Sequence, residues 1–254
     1  MAARTRASRG QTPAALPPER RTVGQLVAES IRFYGSHFVR SLPLGLVVAG
    51  ANQASLGLGR EATTATLVLA APLFTLAFAY ASKLVVGGEP PLRAWIVALG
   101  VGTLVFVPAA LLFPWFALAG VLWLALVGLC VPAALLGGES FVGSLRRGLA
   151  LGRTDYLHAA GSLATLVVLF VLARLGLALL LESQADNTVR VAVFLADAVI
   201  GPLLFLGGAI LYVDQEARLR SRKRGKERRA DLPDADDPHR EGGPDPARQP
   251  GPTT

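Results

Sequence analysis

Residues 156–181, YLHAAGSLATLVVLFVLARLGLALLL, set the fold class. Only Arg174 in this run carries a formal charge, and apolar residues fall on every side of the helix it would form. A helix without a polar face has no surface for water. At ~1.5 Å per residue, ~20 apolar residues cross a ~30 Å hydrocarbon core, so the run is long enough for a bilayer. Five further stretches of similar character lie at 41–59, 63–86, 94–113, 115–136 and 191–213. The chain is therefore read as an all-α membrane protein with about six transmembrane helices. Asn52 and Gln53 interrupt the first. Phe113-Pro114-Trp115 joins the third to the fourth, either as a tight hairpin or as one bent re-entrant helix, since proline cannot continue the helical ladder.

Composition agrees. Across its 254 residues the chain is 52% hydrophobic and only 17% charged, with a mean hydropathy of +0.46, too apolar for an ordinary soluble domain of that length. The net charge of +7 raises nucleic acid as a partner. Lysine and arginine, however, are concentrated at the two ends and in short loops, which is a topology pattern and not a nucleic-acid surface. Cys130, the only cysteine, sits in an apolar run, which excludes an intramolecular disulfide and a thiolate metal cluster. His37, His158 and His239 are scattered, so neither a metal site nor a cofactor is expected. HExxH, GxSxG and GxxxxGK[ST] spacings are missing, which removes the usual hydrolase and P-loop readings and favours a non-enzymatic chain.

Residues 1–22 are rich in arginine, proline and small residues, lack the apolar stretch of a signal peptide, and read as a disordered cytoplasmic tail. The helical membrane domain follows over 23–213. It opens on an amphipathic segment, 23–40, with Val23, Val27, Ile31, Tyr34 and Phe38 on one stripe and Gln25, Glu29, Arg32, Ser36 and Arg40 on the other. Thr22 and Gln25 have the spacing of a capping box, which fixes the helix start. The loop 137–155 forms a second amphipathic helix, with Phe141, Leu145 and Leu149 on one side and Arg146, Arg147 and Arg153 elsewhere. Both are read as cytoplasmic interfacial helices, each leading into a helical hairpin, a layout that suggests two parallel repeats flanking the hairpin 94–136.

Orientation follows from the cations between spans. Arg4, Arg6, Arg9, Arg20, Arg21, Arg32, Arg40, Lys83, Arg93, Arg146, Arg147 and Arg153 fall on one side, whereas the other has only Arg60 and Arg190. Both termini are accordingly placed in the cytoplasm, across the inner membrane. Tyr80, Trp95, Tyr156 and Tyr212 then gather at the inner boundary as an aromatic belt. Residues 214–254 turn basic and then acidic with many prolines, and read as a second disordered tail. Arg146, Arg147, Arg222, Lys223 and Arg224 are the expected contacts to anionic lipid headgroups, each worth about 1 kcal/mol near the surface.

A charge inside a span costs at least ~2.5 kcal/mol on insertion scales and so points to a partner or a function. Arg174 lies seven residues before the loop that follows its span, and Asp197 seven residues after Arg190 at the start of the next. Equal spacing from one loop gives equal depth, ~10 Å inside the outer boundary, where antiparallel neighbours can pair as a salt bridge. Asn52 and Gln53 share that outer half. They are positioned either to line a shallow polar cavity with Arg174 and Asp197 or simply to hydrogen-bond between helices. Gly201-Pro202 and Gly207-Gly208 allow a break or close packing in the last span.

Two stretches carry a family resemblance. One runs from Val23-Gly24-Gln25-Leu26 through Ile31-Arg32-Phe33-Tyr34 to Phe38; the other comprises Val131-Pro132, Glu139 and Ser144-Leu145-Arg146-Arg147-Gly148-Leu149-Ala150-Leu151. They resemble a family of bacterial polytopic proteins similar to the membrane domain that accompanies some glycerophosphodiester phosphodiesterases. The resemblance implies a helical membrane module and no phosphodiester hydrolysis, because that activity belongs to a separate soluble barrel for which this chain has no room. The expected function is a non-enzymatic membrane module organising protein partners or lipids, with self-association open. The alternative is a small transporter or permease subunit built on the outer-half polar group.

Overall fold

In the computed structural model the chain is described at residue 17 and over residues 21–230, and the described residues form helices and connecting turns with no strand. A first unit extends to Leu219, and a second, Arg220–Thr254, is described only in its first residues, as the end of the last helix. Of the expected tails, 1–22 and 214–254, residues 1–16, 18–20 and 231–254, with His239, lie outside the described residues.

Helix α1 (Val23–Ser36) begins at the capping box read from sequence: Thr22 accepts from the Gln25 amide and the Gln25 side chain accepts from the Thr22 amide. The stripe it buries is Leu26, Ser30 and Tyr34, while Ile31 and Phe38 are exposed. The packed face is thus turned from the expected one: Ser30 is fully buried with its hydroxyl bonded to the Leu26 carbonyl of the same helix at 2.8 Å, and the neighbour of α1 is α8 (Tyr156–Leu180).

Five segments are long and apolar enough to cross a membrane: α3 (Arg60–Val86), α4 (Leu92–Leu112), Ala117–Leu136, α8, and Asp186–Gly225. The third comprises α5 (Ala117–Val127) and α6 (Cys130–Leu136), and the fifth α9 (Asp186–Ile200) and the start of α10 (Pro202–Ala230). Between α9 and α10, Gly201 still donates to the Asp197 carbonyl at 2.8 Å. The break is therefore a kink at Pro202, whose ring nitrogen carries no donor. The first expected span, 41–59, is observed as α2 (Phe38–Ser55) and is not among the five. Arg40, Ser41, Asn52, Gln53 and Ser55 dilute its apolar run.

α4 and α5 fold back on each other as a hairpin through Phe113–Phe116, with Trp123 donating across it to the Val105 carbonyl at 2.9 Å. One apolar cluster joins Phe78, Val101, Cys130, Val131 and Leu206; a second joins Leu26, Leu129, Leu151, Leu166 and Leu211. The outward faces are apolar as well. Only 6% of the most apolar window of α8 is buried within the fold, and Leu157, Leu172 and Leu180 stand exposed on it. Water would penalise such a surface, whereas lipid tails cover it. The protein is an all-α membrane protein.

α7 (Phe141–Thr154) is amphipathic as expected, but its inward face is the small-residue row Ser144, Gly148 and Gly152, with Leu145 and Leu149 flanking it. A Cβ on Gly148 would lie 2.3 Å from the Cys130 sulfur. Without a side chain there, α7 lies directly against the backbone of α6.

The last helix does not stop at residue 213. Residues 214–230 contain no proline and are rich in Arg, Lys, Glu, Gln and Ala, so their local preference is helical despite the charge.

Candidate functional site

The intramembrane charges meet. Arg174 on α8 places its Nε 3.1 Å from Oδ1 of Asp197 on α9, and Asn52 on α2 donates from Nδ2 to the other carboxylate oxygen at 2.8 Å. Asp197 is 1% exposed as a side chain, whereas Arg174 is 31% exposed. The guanidinium also lies 5.8 Å from the ring centre of Phe170, one turn earlier on its own helix. The Asp197 Oδ1 contact is a charge contact without hydrogen-bond alignment, so Asn52 supplies the directional bond.

Helix α2 reaches this group because it runs antiparallel along α9 at very short range. A Cβ on Gly45 would fall 1.9 Å from the Ala198 carbonyl oxygen. Small-residue contact of this kind lets backbones approach where apolar side chains would hold them apart. Gln53, grouped with Asn52 by sequence, is exposed and takes no part. Consecutive residues on a helix point about 100° apart, and only one of the two amides can face Asp197.

A cavity of about 430 Å³ opens beside this group, between α2, α3, α4, α5, α8 and α10. Asn52 and Thr63 are the only polar side chains in its wall; Phe74, Phe106, Leu163 and Phe205 are typical of the rest. Of the four residues weighed from sequence as lining a shallow polar cavity, Asn52 alone lines this apolar one; Gln53, Arg174 and Asp197 are not in its wall.

A second polar cluster lies at the other end of the bundle. Asp214, fully buried, pairs with Arg21 at 3.1 Å. Arg218 pairs with Asp155 and donates to the Arg21 carbonyl at 2.7 Å, while Gln215 donates to the Asp155 carbonyl at 3.1 Å. Arg147 on α7 pairs with Glu216 at 2.7 Å and with Glu139 at 3.2 Å. Burial alone works against the Arg147 charge, but Glu216, Tyr212 and Glu139 outweigh it and raise its pKa above the ordinary arginine value. Arg21, α7, the start of α8 and α10 are thereby tied together.

This network corrects two expectations. Arg147, read as a headgroup contact, is engaged by two carboxylates of the fold with 36% of its side chain still exposed, while Arg146, the residue before it, is exposed. Residues 214–219, read as the start of a disordered tail, carry four members of the network. The available signal was the acidic and amide run Asp214-Gln215-Glu216 directly after an apolar helix, since acids there invite the arginines that precede α1 and occupy α7. Arg222, Lys223 and Arg224 lie exposed on the described part of the second unit.

No protein-family model, no curated protein and no solved structure matches the chain.

Proposed function

We propose that the chain is a non-enzymatic, multi-pass module of the inner membrane that gathers anionic lipids and protein partners on a basic cytoplasmic face. The observation carrying this reading is how the arginines at that end divide. Arg21, Arg147 and Arg218 are held by carboxylates inside the fold, which ties the middle of α7 and the start of α8 to residues 214–218 of α10, while Arg40, Arg93, Arg146 and Arg153 remain exposed. The result is a rigid support presenting outward positive charge. The excess of lysine and arginine at this end supports a cytoplasmic placement of this face, and a crossing by α2 in addition to the five longer apolar segments would bring both termini to it; anionic headgroups there add about 1 kcal/mol per nearby cation. The resemblance of residues 23–38 and 131–151 to a membrane module lacking its catalytic barrel supports the same reading.

Cross-linking and co-purification from native membranes test it. The wild-type chain is expected to bring down anionic lipid and protein partners that the folded double variant Arg146→Glu, Arg153→Glu loses. Equal recovery by both chains would overturn the reading.

One observation favours the transporter alternative: Asn52 both bonds Asp197 and lines the cavity. Exchanging Arg174 and Asp197 separates the two. Recovery of folding together with every cellular phenotype supports a structural pair, and recovery of folding without uptake of a solute supports transport.

A further inference from the structure

We propose that the interior cavity binds one acyl chain of a phospholipid whose phosphate is held at the mouth by Arg60. This goes beyond the basic-face reading and does not rest on it. The volume of about 430 Å³ falls in the ~300–1,000 Å³ range of small-molecule sites. A wall with only Asn52 and Thr63 as polar members excludes water, and an empty space would forfeit the dispersion contacts of its lining. An apolar occupant drawn from the membrane satisfies both conditions.

The shape selects a chain over a compact solute. Along α3 the lining runs from Thr63 to Phe78, about 22 Å at ~1.5 Å per residue and so more than half of a ~30 Å hydrocarbon core. One leaflet's tails occupy about half of that core, roughly 15 Å, so the lining is long enough for an extended acyl chain.

The mouth supplies the headgroup end. Thr63 and Pro114 line the cavity, Arg60 lies one turn before Thr63, and its guanidinium sits 5.5 Å from the ring centre of Trp115, the residue after Pro114. Tryptophan and arginine at a span end belong to the headgroup level, and the guanidinium fork matches phosphate oxygens. Glu61 follows Arg60 in sequence but points about 100° further round the helix.

The test uses the full chain in phosphatidylcholine vesicles doped with a phosphatidylglycerol carrying a diazirine at the end of one acyl chain. After irradiation, mass spectrometry maps the labelled residues. The expected labels fall on Phe106, Leu163 and Leu204 in the wild-type chain, disappear in Ala110→Phe, whose ring fills the space, and weaken in Arg60→Gln. Wild-type labelling confined to outward residues such as Leu69, Leu172 and Leu180 overturns the proposal, whether or not Ala110→Phe folds. Cavity labelling that a folded Ala110→Phe retains overturns it too, and undiminished labelling in Arg60→Gln overturns the headgroup assignment.

Discussion

Arg174 and Asp197 approach to 3.1 Å on neighbouring helices, yet only the carboxylate is enclosed, and the guanidinium keeps nearly a third of its side chain open. The two deletions are therefore unequal. Arg174→Ala leaves a buried carboxylate with Asn52 as its remaining partner, a loss on the order of 3 kcal/mol. Asp197→Ala frees an arginine that lies about two turns from the boundary and snorkels there, so its cost is smaller. Unfolding in detergent should rank Arg174→Ala below Asp197→Ala in stability, and the reverse order would show that the guanidinium is the trapped partner.

This pair was legible in the sequence because equal spacing from one loop fixes equal depth on adjacent antiparallel helices. Asn52 was legible as a polar interruption, but which amide faces inward is set by the rotation of α2, which Gly45 controls through its contact with Ala198. The span pattern was legible from apolar length. The failures were local competitions: Ser30 is buried, and Ser144, Gly148 and Gly152 pack by smallness, where hydrophobicity pointed to Ile31 and Phe141. The charge of residues 214–219 masked both helix propensity and carboxylates waiting for Arg21 and Arg147. The cavity had no linear signal, since its wall is drawn from six helices.

Gly45 carries a prediction of its own. An added methyl group would overlap the Ala198 backbone carbonyl, which no side-chain rotation relieves. Gly45→Ala is expected to push α2 off α9, weaken the Asn52–Asp197 bond and lower stability by about 1–3 kcal/mol. Gly50→Ala, on the same helix with open space around it, is the control and should be neutral or slightly stabilising. Thermal unfolding of the two in detergent gives the comparison.

The ion pairs of the basic end differ in depth and should differ in strength. Asp214 is fully enclosed and Arg21 is 17% exposed, whereas Arg147 is 36% exposed. A double-mutant cycle on Arg21 and Asp214 is expected to give a coupling of about 2 kcal/mol that survives high salt. The cycle on Arg147 and Glu216 should give under about 1 kcal/mol and fade as salt screens the exposed partner. Equal, salt-insensitive couplings would show the second pair to be sealed from solvent.

The central claim, a helical membrane module with its basic face in the cytoplasm, is tested most directly by labelling single cysteines in intact cells with a membrane-impermeant maleimide. The background is Cys130→Ala, which removes the one native thiol, itself buried. The account predicts that Gly59→Cys, before α3, and Ala185→Cys, before α9, react from outside, while Gly138→Cys, before α7, reacts only after the membrane is permeabilised. Reaction of Gly138→Cys in intact cells, with Gly59→Cys and Ala185→Cys protected, would contradict it.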